Sequence, residues 1–311
     1  MRPLREPERN VQDRRLGGRV MQVIDMRVRI PRRELTEHPE EFMVYYQERA
    51  GFDVHYSATI DQLLREMEAS FVAQAVLHSE WEFEDPLQLN ERTRDAVAAH
   101  SDKFFGVISV DPRRGVSQSL ADLRKAVAGT PKCVGFSLQP AFLDLLPEAA
   151  RLYPLYQFCE ESGIPVWLHT GINYAPNHSM EPDRPMHLER ILLDFPNLKL
   201  VACHSGWPWV GELCALARKF YPRLYLEIGG VAPRYIFAQG TGWDPFLQYA
   251  NSLLQDQILF GTDWPIIPFD RAIKEIHEAP LKEAVKSKIL YENGWKLIME
   301  SLNKQNERAG S

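Results

Sequence analysis

Long apolar runs are missing from this chain of 311 residues, and none approaches the roughly 18 residues that a membrane-spanning helix needs. The first 20 residues have no apolar centre of the kind a secretory signal carries, so a cytoplasmic location is expected. Cysteine is scarce: there are four, with no CxxC pair. Cys133, Cys159, Cys203 and Cys214 each lie inside an apolar segment, which is the setting of reduced, buried thiols and not of a disulfide framework. Basic residues are outnumbered, 36 against 42 acidic, and the net charge of −6 disfavours nucleic acid as a partner. No GxGxxG follows the first apolar run, so the dinucleotide-binding fingerprint is absent. No repeat or low-complexity segment stands out. What is present is ordinary for a soluble globular protein, 45% hydrophobic and 25% charged, and long enough for a large core.

The N-terminus stands apart. Residues 1–19 hold six arginines against Glu6, Glu8 and Asp13, a net +3 that leaves −9 for the remainder. Pro3, Pro7, Gly17 and Gly18 interrupt any element there, so 1–19 is expected to be a flexible basic arm. An arm packing on an acidic neighbouring subunit is the alternative, and a homo-oligomer is expected.

After Arg19 the pattern becomes regular. Eight β-branched or apolar runs recur: Met21–Ile30, Val72–Leu77, Phe104–Val110, Cys133–Leu138, Ile164–His169, Leu198–His204, Leu224–Ile228 and Gln257–Gly261. Helical stretches separate them. Thr59–Ile60–Asp61–Gln62 predicts a capping box ahead of Leu63, Leu64 and Met67. Stripes over 116–127 and 152–159 stop at Gly129 and Gly163, and one over 188–195 stops at Pro196. Strand alternating with helix means parallel pairing through right-handed crossovers. Eight such units over about 250 residues predict a single-domain α/β protein, a (β/α)8 TIM barrel over 20–303, with the arm before it and a tail over 304–311. The connection 31–57 is long enough to be a lid.

Such a barrel carries its active site at the C-terminal ends of its strands. There the fifth run ends on His169, the sixth on His204 and the eighth runs into Asp263. Imidazole and carboxylate are zinc ligands and also acid–base groups. On the first run, strict alternation sets Asp25, Arg27 and Arg29 on one face and Ile24, Met26, Val28 and Ile30 on the other. Guanidiniums in a barrel mouth need anions: either internal ones, Asp263 or Glu227, or a substrate carboxylate that they clamp. Trp207, Trp209 and Trp264 flank the sixth and eighth strand ends as candidate pocket walls, with Trp207 the candidate substrate contact. The segment 173–184, with Tyr174, His178 and Arg184, reads as a loop over the mouth, and Tyr174 is taken as substrate-binding. Gln139 follows the fourth run, either as a turn residue or a substrate contact.

These residues resemble the amidohydrolase-related branch of the amidohydrolase superfamily, the branch of aminocarboxymuconate-semialdehyde decarboxylase, from about Met21 to Met299. The marks are IDMRVRIP on the first strand, NERTRDAVAAHSDKFFGVISVDP through the third, and YPLYQFCEESGIPVWLHTG at the fifth. FPNLKLVACHSGWPWV at the sixth, ILFGTDWP at the eighth and KILYENGWKLI near the end complete them. The resemblance implies a divalent metal, usually zinc, held by a first-strand His-x-His pair, a fifth-strand His and an eighth-strand Asp. Carried over, His169 and Asp263 are ligands, Asp263 also takes a proton, and His204 is the catalytic or water-orienting histidine that also approaches the metal. The chain departs where the His-x-His pair falls, because Arg27 and Arg29 stand there and arginine has no lone pair to give. Zinc on His169, Asp263 and His204 is then an expectation from half a site, and cation has replaced cation.

Three functions are expected candidates. One is a hydrolase of a small carboxylated substrate, such as a lactone or ring-derived ester, with His204 or Asp263 activating water. The second is a non-oxidative decarboxylase of an aromatic or muconate-type acid. The third is a non-catalytic barrel that binds a small acid, with its strand-end groups tied up with the arginines.

Overall fold

Each of the eight apolar runs is a strand. The computed structural model describes residues 15–16, 19–20, 22–31, 59–80 and 85–309. The strands are β1 (Val23–Arg29), β2 (Val72–His78), β3 (Phe104–Ser109), β4 (Cys133–Leu138), β5 (Val166–His169), β6 (Leu200–Cys203), β7 (Leu224–Glu227) and β8 (Ile258–Leu259). They pair in chain order and in parallel. The ring closes between its ends through a bridge from Val28 to Trp264 and a 2.8 Å bond from the Met26 N–H to the Phe260 carbonyl. The expected (β/α)8 barrel is the fold.

The helix signals operate as their chemistry dictates. Thr59 accepts from the Gln62 N–H at 3.2 Å and starts α1 (Ile60–Ser70). Helices α2 (Pro86–Ala99) and α3 (Val116–Gly129) follow, and α4 (Tyr153–Ser162) ends on Gly163 at φ 71°. Then come α5 (His187–Asp194), which stops short of Pro196, α6 (Val210–Lys219), α7 (Asp244–Ala250), α8 (Phe269–Glu278) and the final α9 (Asn293–Ala309).

Two apolar layers result. Helices pack on the outside of the strands through Val28, Leu77, Ile108, Phe136 and Leu168. Inside the barrel lie Ile24, Met26, Val76, Phe105, Val107, Trp167, Val201, Tyr225 and Leu259. Helix α9 inserts Leu297 and Ile298 against this inner layer, and its Gln305 reaches the carbonyl of Cys133 at the start of β4. It therefore closes the end of the barrel opposite the strand C-termini. The expected tail over 304–311 is helix as far as Ala309.

Strict alternation fails on β1. Its register against β2 shifts between Asp25 and Val28. Ile24 and Met26 face the interior below the shift, whereas Val28 and Ile30 join the outer layer above it. The irregularity turns Arg27 inward and Arg29 into the mouth, the re-aiming that bulges beside active sites perform. Of the N-terminal arm, Arg15–Leu16 pairs antiparallel with Arg19–Val20. The rest of the arm, and the expected lid apart from Pro31, lie outside the described residues. The four cysteines are free and buried. Among the described residues no helix is long and apolar enough to cross a membrane.

Candidate active site

The arginines find their anions inside the protein. Arg29 forks onto Asp263, with Nε donating to Oδ1 at 2.9 Å and Nη2 to Oδ2 at 3.0 Å. Its Nη1 lies 3.4 Å from Glu80 Oε2. Arg27, 1% exposed, is ion-paired through Nη2 with Glu80. Its Nε is 3.3 Å from Asp263 Oδ1 and 3.8 Å from Glu227 Oε2, and Nη1 donates to Cys203 Sγ at 3.2 Å. Two guanidiniums from β1 thus meet three carboxylates from β2, β7 and the turn after β8. Arg27 does not line the mouth, so the substrate clamp expected of it is replaced by internal pairing. Arg29 does line it.

Burial sets the protonation states. Asp263 would be pushed up by burial, but Arg29 and Arg27 outweigh that and hold it well below the usual carboxylate range. Burial pushes Glu227 up to about 8, against the pull of Arg27. Asp25 rises to about 7 through burial, opposed by the Thr262 hydroxyl at 2.6 Å and by backbone donors. Through those bonds Asp25 ties β1 to the turn that carries Asp263. Burial and Arg27 hold His78 and His204 well below the ordinary histidine value.

His204 has its proton placed by geometry. Its Nδ1 lies 2.7 Å from the carbonyl oxygen of Gly229. A carbonyl only accepts, so Nδ1 carries the hydrogen and Nε2 keeps its lone pair. His169 packs 4.7 Å from it, ring centre to ring centre, with its Nδ1 3.1 Å from Oδ1 of the buried Asp183. The backbone here is unusual: His204 (φ 68°), Ser205 (φ 56°) and Asp263 (φ 57°) are all left-handed. Each costs of order 1–3 kcal/mol, and such strain gathers at functional sites. Gly230, at φ 75°, makes room, because a Cβ there would lie 2.7 Å from His204 Nδ1 and 3.3 Å from Asp263 Oδ2.

Arg29, His169, Asn173, Tyr174, His204 and Asp263 line one recess, together with Phe142 and Val231. Its volume is about 30 Å3, room for a water or two. Four of the expected residues from three strand ends and a loop therefore meet Arg29 in one place. Trp207 is not among them, because its ring stacks on Trp243, 5.8 Å between centres and 26° apart. Trp264 is core, stacked on Phe269 with Nε1 donating to Glu66 at 2.6 Å. His178 packs on Phe142, and Arg184 forks onto Glu212 on the surface. Of the three strand-end groups that a binding-only barrel would tie to the arginines, Asp263 is tied to Arg29 and Arg27, while His204 and His169 pair instead with the Gly229 carbonyl and Asp183. Sequence reasoning missed Glu80 and Asp183. Glu80 was within reach of it, two residues past the end of β2, where the strand-end rule applies.

The residues do not fit a divalent cation. Both oxygens of Asp263 are taken by Arg29, and a metal beside them would face two fixed guanidiniums. Among the described residues no group of three or more His, Cys, Asp or Glu side chains is arranged to hold one. The expected zinc on His169, Asp263 and His204 gives way to this donor chemistry.

The buried groups predict a pH dependence of stability. Glu227 and Asp25 are raised on folding, so they favour the fold fully below their unfolded values of 4.5 and 3.8 and lose that as pH rises through about 8 and about 7. His78 and His204 are lowered, so they oppose this slope up to 6.5 and are silent above it. Urea unfolding is expected to give a plateau between about pH 5 and 6.5, then a loss of about 2 kcal/mol by pH 8. Stability that rises from pH 6.5 to 8 contradicts the assignment.

The family described as Amidohydrolase matches residues 24–297. The chain is similar to a TIM-barrel protein from Bordetella bronchiseptica, Bb4693, at 28% identity over 90% of this chain and 99% of that one, with a TM-score of 0.77. The 5-carboxyvanillate decarboxylase LigW of Sphingomonas paucimobilis shares the fold at 16% identity, over 90% and 99% of the two chains, with a TM-score of 0.67. Protein fluG of Emericella nidulans is 33% identical over 69 residues, 22% of this chain and only 8% of that protein.

Proposed function

This chain belongs to the amidohydrolase family, an enzyme of hydrolase or carboxy-lyase type, and we propose that it hydrolyses a small carboxylated ester or lactone without a metal. One observation carries the choice: His204 lines the recess with its Nδ1 2.7 Å from the Gly229 carbonyl, which makes Nδ1 the donor and leaves the lone pair on Nε2. Hydrolysis needs such a base to take a proton from water. A carboxy-lyase needs the opposite, a group that already carries a proton for the carbanion. The one ring hydrogen of His204 is committed on Nδ1 to the Gly229 carbonyl, and Asp263 is held ionised.

In this reading water enters between His204 and His169, and His204 Nε2 removes its proton as the oxygen attacks the acyl carbon. The imidazolium then returns that proton to the leaving oxygen, so one water is consumed and an ester yields one acid and one alcohol, a lactone a single hydroxy acid. Arg29 supplies fixed positive charge toward the substrate carboxylate and the developing oxyanion. Asp263, an anion throughout, holds Arg29 in place. Asp183 lies behind His169, its Oδ1 3.1 Å from Nδ1.

The test is a panel of short carboxylated lactones and esters, before and after exhaustive dialysis against EDTA. Ring opening with uptake of water, undiminished by the chelator, is expected. Release of CO2 without water uptake assigns the chain to the carboxy-lyases, and activity lost to EDTA and restored by zinc removes the metal-free route.

A further inference from the structure

Gln139 has no role in that reaction, yet it is the most conspicuous polar side chain near the mouth. It is 3% exposed, and among the described residues neither Nε2 nor Oε1 has a hydrogen-bonding partner. A buried amide left in this state costs free energy at both ends, and native proteins tolerate one only for a reason.

Its place in the fold supplies the reason. A Cβ at Gly135 would meet the ring of Trp167, so this position of β4 faces the barrel interior. Side chains alternate, which sets Ser137 and then Gln139 on the same side. Ser137 pairs in register with Trp167 on β5, and two residues further along each strand stand Gln139 and His169. Gln139 therefore sits at the C-terminal end of the barrel beside a histidine of the recess, and the turn that it opens carries Phe142, another of the lining residues.

We propose that Gln139 is a specificity-determining residue that reads a hydroxyl next to the acyl group of the substrate. A carboxamide offers a donor and an acceptor side by side. Its complement is a hydroxyl donating to Oε1 next to a carbonyl or carboxylate oxygen accepting from Nε2, that is, a 2-hydroxy acid or its ester. This location for the acyl group rests on the hydrolase reading; the recognition is separately testable because it needs no turnover.

The test is equilibrium binding of glycolate and of acetate, which differ only in that hydroxyl, to the intact protein and to Gln139→Met, with thermal unfolding of both. Glycolate is expected to bind about tenfold more tightly than acetate to the natural chain, the scale of a satisfied buried hydrogen-bonding pair. In Gln139→Met that ratio falls to about one, acetate affinity falls as well because its carboxylate loses the Nε2 donor, and the melting temperature holds or rises because an unsatisfied amide is gone. Gln139→Leu serves if the methionine variant does not fold. Glycolate binding no more tightly than acetate, or not at all, overturns the proposal. So does a ratio unchanged in the variant, or a lower melting temperature, the mark of a structural amide. If the ratio collapses while the lactone panel fails, the recognition stands and the reaction is another.

Discussion

Arg27→Met is expected to lower stability by about 3–5 kcal/mol, seen as a fall of about 10 °C in melting temperature. The methionine fills much of the volume, so packing is not the main loss. The loss is electrostatic. Glu80, fully buried, loses the partner that pairs with it most closely and retains Arg29 at 3.4 Å, while Glu227, already pushed up to about 8, is driven further toward its neutral form. Leaving a buried carboxylate without its counter-charge is among the most damaging single changes a core can suffer. Pairing the change with Glu80→Gln identifies the cause. The double variant is expected to recover part of the loss, because a neutral amide tolerates burial better than an anion whose counter-charge has been weakened. Additive losses, or a single-variant cost under about 1 kcal/mol, contradict the ion-pair assignment.

His204→Asn is expected to lower kcat by a factor of about 10²–10⁴ on whichever lactone or ester proves to be turned over, with little change in melting temperature. Asparagine suits the position for two reasons. It adopts left-handed backbone more readily than most residues, and its amide N–H can replace Nδ1 as donor to the Gly229 carbonyl. It lacks only the Nε2 lone pair. The natural enzyme is expected to keep kcat flat from pH 8 down through 6.5, because burial and Arg27 hold His204 well below that value. Half-loss of rate near pH 6.5 contradicts a buried neutral base, and full activity of His204→Asn removes the residue from the chemistry.

The barrel was legible because its signal is local. Apolar runs of strand length, capping at Thr59, and stops at Gly163 and Pro196 each act on their own neighbours, and eight repetitions leave little choice of topology. The site was legible to the extent that it follows the strand-end rule, which yielded His169, His204 and Asp263. What escaped depends on contacts distant in sequence. That Arg27 belongs to Glu80 is decided by β1 and β2 lying side by side around a shifted register, and alternation along one strand is silent on that shift. Asp183 reaches His169 from a loop. The tryptophans mislead for a related reason: a large ring beside a strand end is as easily absorbed by another ring, Trp243 or Phe269, as offered to a ligand.

The positive charge in this mouth is covalent. A bound cation has an off-rate, can be lost to a competitor and can be replaced by the wrong ion; a guanidinium on β1 has no dissociation constant at all. On the metal-free route proposed above, a chain that carries its cation in this way has no empty form awaiting loading and is expected to work at the same rate in a metal-starved medium as in a replete one.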